Sequence, residues 1–181
     1  TQDNDTIIDN ATIGKLQDKI NNAVDGEVID LTDFDMDDTE VVIDKRLTIK
    51  NGSLDKTRLK ITSNDVTLQN IKSIKNIDSN ASNLTIINSK ISDLLLLSGN
   101  SRSNLDCNLI GSRVNSLTVN NMTNLLVANF DKNIDTLTGT PLSLTAPANV
   151  ARELGITADS KMENSTLYDY YDTNTDRKSV V

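Results

Sequence analysis

The densest set of chemically capable side chains in this sequence is acidic: Asp30, Asp33, Asp35, Asp37, Asp38, Glu40 and Asp44 crowd into residues 30–44. Asp33, Asp35 and Asp37 have the alternate spacing of an oxygen-ligand calcium loop, with Asp44 at the twelfth position. Such a loop needs Gly at its sixth position for a sharp turn and a helix on either side. Here Asp38 holds that position, and strand-like pairs flank the segment. The stretch therefore reads first as a solvated acidic loop over the first coil. Weak calcium binding by Asp33, Asp35, Asp37 and Asp44 is the alternative, and calcium is the one cofactor left open. Asp172, Asn174 and Asp176 repeat the spacing near the C-terminus with less around them.

Other chemistry is thinly supplied. Cys107 is the single cysteine and there is no His, so a Cys–His nucleophile is excluded and no internal disulfide forms. Its inward position in the apolar pair Leu105-Asp106-Cys107 makes Cys107 a core residue. Carboxylate pairs for acid–base work are available anywhere in so acidic a chain, and sequence proximity does not select one. No catalytic residue is assigned. Thr48, Thr67 and Thr85 form an outward ladder that could suggest ice binding, but it offers one Thr per coil, and β-propensity explains it. Leu94 and Leu96 fall on an outward face as a small apolar patch that binds a partner or lies under a loop. Tyr168, Tyr170 and Tyr171 sit together in a polar tail, either docked on the last coil or held for recognition.

The elements that position these residues come from a repeat. Apolar-x-apolar pairs recur at Ile29-Asp30-Leu31, Leu47-Thr48-Ile49, Val66-Thr67-Leu68, Leu84-Thr85-Ile86, Leu105-Asp106-Cys107 and Leu125-Leu126-Val127. Their first positions are 18, 19, 18, 21 and 20 residues apart. A second series runs between them: Val41 with Ile43, Leu59 with Ile61, Ile77, Leu95 with Leu97, Leu117 with Val119, then Leu137. Single residues Leu54, Ile74, Ile91, Val114 and Ile134 make a third column. Alternation within each pair turns both apolar side chains to one face, as in a half-buried strand. The short gaps between columns leave no room for a helix, which disfavours a leucine-rich repeat.

The predicted fold is all-β: a right-handed parallel β-helix of about six coils, roughly 30 Å long at the strand spacing of stacked chains. Asn51, Asn70, Asn88 and Asn129 stand at one offset past the first column, where Asn side chains can bond from coil to coil. The coil beginning at Leu105 breaks that row, with Leu109 at the offset, and a different turn is expected there.

Terminal coils need covers. Ile13, Leu16, Ile20, Ala23 and Val24 share one face of a helix that Thr12 could cap and Gly26 could end. A second short helix, begun by Pro147 and ended by Gly155, carries Val150, Ala151 and Leu154. The expected organisation is an N-terminal extension over 1–11, a β-helix domain with capping helices over 12–156, and a polar tail over 157–181, extended or mobile.

Composition fits this reading. Aromatic residues are only 3% of 181 and Trp is absent, so the core must be aliphatic. Asp and Asn, abundant here, favour tight turns. A net charge of −8 repels phosphate backbones and anionic lipid, so nucleic acid is not an expected partner. No apolar run is long enough for membrane insertion. The sequence opens on Thr1 rather than Met, as expected of a chain from which an export signal or a tag has been removed.

The run Lys15-Leu16-Gln17-Asp18-Lys19-Ile20-Asn21-Asn22-Ala23, then Asp25-Gly26-Glu27-Val28-Ile29-Asp30-Leu31, resembles the start of many pectin-lyase-like β-helix proteins. Asn83-Leu84-Thr85-Ile86-Ile87-Asn88 is similar to their repeats, and the likeness covers roughly residues 12 to 140. That superfamily includes polysaccharide lyases, hydrolases and esterases as well as surface proteins without known chemistry. Its glycosidases carry Gly-His-Gly and Arg-Ile-Lys segments, which this chain lacks. Its lyases set calcium-binding Asp residues and a basic residue on one exposed sheet among large loops. The expectation is a non-catalytic structural or interaction protein, exported or displayed at the cell surface or envelope, with a protein or glycan partner. The alternative is a small polysaccharide-binding or lyase-like protein, though few aromatic side chains are present to stack on sugars.

Overall fold

The computed structural model describes residues 13–99, 105–128, 134–147, 150, 154 and 166–167. Inward columns of Leu, Ile and Val stack coil on coil, giving a parallel β-solenoid of about six turns around one continuous aliphatic core. Equivalent inward positions in neighbouring coils are paired directly: Ile49 pairs with Leu68 and Leu68 with Ile86, all fully buried.

The first column comprises β2 (Val28–Asp30), the start of β5 (Thr48–Ile61), the start of β6 (Thr67–Ser79), β7 (Leu84–Ile87), β9 (Leu105–Ile110), β11 (Thr123–Ala128) and β13 (Ser143–Ala146). The second contains β4 (Glu40–Ile43), the ends of β5 and β6, β8 (Lys90–Leu97), β10 (Arg113–Thr118) and β12 (Ile134–Thr138). Every pairing is parallel. The third column stacks as its spacing predicts: Leu54 pairs with Ile74, Ile74 with Ile91, Ile91 with Val114 and Val114 with Ile134. In β5 and β6 the corners are register shifts within a continuous strand, as between Gly52 and Leu54. Strand therefore runs through the bends without long loops.

Three registers differ from the spacing of the apolar pairs. Ile29, not Leu31, pairs with Ile49, and Cys107, not Leu105, pairs with Leu84. The third is Leu125, which pairs with Cys107 and not with Leu105. Leu105 and Cys107 are both inward at 1% exposure and Leu109 at 0%, so three alternating apolar residues offered two frames. The turn decides. Asn51, Asn70 and Asn88 hold positive φ at 63°, 54° and 47°, and Gly111 holds φ 60° at the equivalent place. Left-handed backbone is strained for most side chains but open to Gly and Asn. Counted from Cys107, Gly111 stands four residues on, as Asn88 does from Leu84, so the turn row is unbroken. Asn129 lies outside the described residues. The outward Thr ladder consequently continues from Thr85 to Asn108, rather than to Asp106.

The N-terminal cover is shorter than its apolar pattern implies. β1 (Ile13–Gly14) pairs with β3 (Asp35–Met36), which keeps that segment extended, and the helix α1 runs only over Leu16–Asn22. Thr12 lies outside the described residues. The cap position falls on Lys15 with no side-chain cap bond. Instead Asp38 accepts from the N–H of Leu16 at 2.7 Å and of Gln17 at 3.2 Å. Ala23 is already extended, and Val24 is 68% exposed rather than on the apolar face. At the other end Lys45 donates to the carbonyls of Ile20, Asn21 and Ala23.

The second expected helix falls mostly outside the described residues. Leu154 N–H donates to the Val150 carbonyl at 3.1 Å, and Val150 is buried. In the tail, β14 (Thr166–Leu167) pairs with Thr145–Ala146 of β13. Tyr168, Tyr170, Tyr171, Asp172, Asn174 and Asp176 lie outside the described residues.

Candidate functional site

Stacking brings together outward residues that are about twenty positions apart in sequence. On the second column one outward row reads Glu40, Arg58, Asn76, Leu94, Ser116, Thr136, and the next Val42, Lys60, Asp78, Leu96, Thr118, Thr138. Asp78 sits beside two cations: Arg58 Nη2 lies 3.1 Å and Lys60 Nζ 3.7 Å from its Oδ2. Arg58 Nη1 also lies 3.8 Å from Glu40 Oε1. The Asp78 side chain is 17% exposed, against 48% for Arg58, so the carboxylate forms the floor and the guanidinium the rim.

Next to this cluster is an open depression of about 300 Å³, lined by Arg58, Asn76, Asp78, Asp93, Leu94 and Leu96. Asn76 is fixed by accepting from the Leu94 N–H at 3.0 Å. Leu94 and Leu96, the apolar patch expected from sequence, are half-buried walls of that depression. A strip combining a paired carboxylate, two cations and an apolar wall can hold a ligand carrying both charged or hydroxylated groups and an apolar face.

The acidic loop does not converge. Asp37 Oδ1 pairs with Lys15 Nζ at 2.8 Å, and that contact holds its carboxyl below the usual range. Asp38, 7% exposed, is spent on the α1 amides, while its own carbonyl accepts from buried Thr57 Oγ1 at 2.6 Å. Asp30 accepts from the Thr32 hydroxyl at 2.6 Å and amide at 2.9 Å, and from Asn51 at 3.3 Å; these bonds, the hydroxyl first, lower its pKa. Asp33 adopts φ 69°, and Asp33 and Asp35 line an open depression of about 450 Å³ with Phe34, Asn51 and Lys72. Lys19 Nζ stands 3.8 Å over the Phe34 ring. Asp44 is exposed beyond β4. Among the described residues no group of three or more His, Cys, Asp or Glu is placed to hold a metal ion.

Cys107 lies inside the core, where burial pushes its thiol up to about 12. A thiol held protonated there is not a nucleophile at neutral pH.

Comparison with protein-family models, with curated proteins and with solved structures returned no match.

Arg58, Lys60 and Asp78 carry no sequence motif that singles them out. The signal for them is positional: each precedes or follows an inward residue by one, and the stacking of Leu59 on Ile77 then makes them neighbours. No helix among the described residues is long and apolar enough to cross a membrane.

Proposed function

We propose that this chain is a non-catalytic structural or interaction protein, related in fold to the pectin-lyase-like β-helix proteins. It is displayed at the cell surface or envelope and engages a protein or glycan. The observation that carries the reading is the cross-bonding of outward side chains from coil to coil. Asn70 donates to Asn51 at 3.5 Å, Asn83 to Asp65 at 2.8 Å, Asn108 to Asn83 at 3.2 Å, and Asn124 to Asp106 at 2.9 Å. Such ladders hold the wall rigid and fix the spacing of whatever it presents, which lowers the ordering cost of binding. Catalysis instead needs a positioned acid or base poised for proton transfer, whereas Asp37 and Asp78 are engaged in ion pairs and Asp38 caps α1.

A second reading has one observation in its favour: the Arg58, Lys60 and Asp78 cluster beside an open depression. It supports glycan binding, or a lyase-like activity, on that face. Purified protein assayed on uronate-containing and neutral polysaccharides, with and without calcium, is expected to show no cleavage. Turnover abolished by Asp78→Asn or Arg58→Gln would overturn the non-catalytic reading. Retention on an immobilised glycan without turnover, lost in the same variants, would assign the face to glycan binding. Surface display is tested by fractionating the source cells, where recovery in the cytoplasm alone would reject it.

A further inference from the structure

We infer that the open depression beside β3 binds one ring of a neutral glycan, with Phe34 as its stacking platform. The inference rests on the reading that this protein engages a glycan, and it puts the sugar apart from the Arg58 face. Phe34 is the one aromatic side chain among the described residues, and it lines this depression at 38% exposure instead of joining the core. An exposed ring forgoes the burial that stabilises aromatic side chains elsewhere. A ligand laid against it would restore that burial.

The depression, about 450 Å³, falls within the size of small-molecule sites, roughly 300–1,000 Å³. Its floor is Leu31 settled on Gly52, where an added Cβ would stand 2.7 Å from Leu31 Cβ. The loop that carries Phe34 is held from several sides. Phe34 N–H donates to the Leu31 carbonyl at 3.1 Å, Thr32 N–H donates to Asp30 at 2.9 Å, and Asn51 of the next coil donates to the same Asp30 carboxylate at 3.3 Å. Lys19 Nζ, 3.8 Å over the ring, ties it to α1. A platform ordered before binding lowers the cost of forming the complex.

The polar lining selects the charge of the ligand. Asp33 and Asp35 come from the loop, and Asn51, Asn70 and Lys72 from the two coils that follow. The side chains of Asp33, Asp35 and Lys72 have no hydrogen bond or ion pair among the described residues, so their bonding capacity faces solvent. A charged ligand of either sign would meet a like charge in this lining. A neutral polyol satisfies both signs: the carboxylates accept from its hydroxyls, while Lys72 and the two amides donate to its oxygens. Its C–H face then lies on the Phe34 ring. The depression beside Arg58 has no aromatic residue in its lining and offers no such platform.

The test titrates isotopically labelled full-length protein with the methyl glycosides of glucose, galactose, mannose and N-acetylglucosamine, following backbone amide shifts by NMR. Saturable shifts are expected with at least one sugar at residues 31–35, 51–53 and 70–72. Phe34→Leu, which keeps an apolar side chain but loses the flat ring, should weaken binding about tenfold, and Phe34→Tyr should retain it. Arg58→Gln should leave binding unchanged. Wild-type affinity in Phe34→Leu overturns the inference. Shifts confined to Arg58, Asn76 and Asp78 also overturn it, while keeping glycan binding on the other face. Shifts with a lysine-rich peptide and none with the sugars overturn it in favour of a cationic partner. No shift with any of these probes overturns it and leaves the protein-partner reading standing. Should Phe34→Leu disturb the loop of the free protein, Lys72→Met supplies the reading from outside that loop. Binding about tenfold weaker there supports the inference, and unchanged binding overturns it.

Discussion

Asp38 Oδ1 accepts a 2.7 Å hydrogen bond from the backbone N–H of Leu16, which stands 22 residues earlier in the chain. A helix leaves its first amides without intrahelical partners, and α1 meets that need with a carboxylate from the loop it covers rather than with a residue of its own. The acidic stretch is therefore partly a fastening. Replacing Asp38 with Ala is expected to cost about 1–3 kcal/mol in urea denaturation, the range for losing a helix cap and a charged, buried acceptor. Asp38→Asn, which retains an acceptor oxygen, should recover most of it. Equal losses in both variants would mean that the charge, not the bond to Leu16, is what matters.

The same use of acids bears on calcium. Asp37 is held by Lys15 and Asp38 by α1, so two of the crowded carboxylates would have to abandon partners to bind a cation. A ligand that binds only the folded chain must raise the melting temperature. Millimolar calcium is expected to leave it unchanged. A rise that disappears in Asp33→Asn/Asp35→Asn would instead establish a site in this loop.

Asp30 gives a pH dependence of definite sign. Its folded pKa lies below the ordinary value of 3.8, chiefly through the Thr32 hydroxyl. A depressed carboxyl contributes stability above its unfolded pKa, and loses it as pH falls through the folded value. Acid titration of the melting temperature should therefore fall less steeply below pH 3.8 in Thr32→Val than in wild type. Parallel acid limbs would show that the bond does not persist in solution.

At the alkaline end Cys107 has the opposite effect. Its thiol moves from an ordinary value of 9.0 to about 12 on burial, so between those values the unfolded chain releases a proton that the folded chain keeps. Stability must fall as pH rises through that window. Lys and Tyr titrate there too, so the informative quantity is the difference between wild type and Cys107→Ala. That difference should shift against wild type from pH 9.0 upward. A thiol reagent should label the native protein only through unfolding. Rapid labelling of folded chain would place Cys107 outside the core.

The columns were legible because inward positions of a solenoid repeat the same apolar alternation in every coil, and Leu54, Ile74, Ile91, Val114 and Ile134 fall where that alternation puts them. Register was less so, because alternation at Leu105, Cys107 and Leu109 is satisfied by two frames that differ by two residues. Fastenings were not legible at all. Gln17 with Val42, Asp38 with Leu16 and Lys45 with Ile20 join residues 22 to 25 positions apart, and no local pattern marks them. The Arg58 and Asp78 pair became visible only once its two coils were stacked.

Gly111 offers the sharpest test of the register. With Cys107 beside Leu84, Gly111 takes the left-handed turn position of Asn88 and stacks directly on it, so that a Cβ at Gly111 would collide with Asn88 Oδ1. Two penalties then meet in Gly111→Ala: a left-handed Ala costs about 1–2 kcal/mol, and the Asn88 side chain must also move. Asn would suit the backbone but not the space. Gly111→Ala and Gly111→Asn should therefore both destabilise the fold, and Asn88→Gly should relieve part of the loss in each, a coupling that a double-mutant cycle in urea reads directly. If Leu105 were instead the residue beside Leu84, Gly111 would lie clear of Asn88, and the cycle would close with no coupling between the two positions.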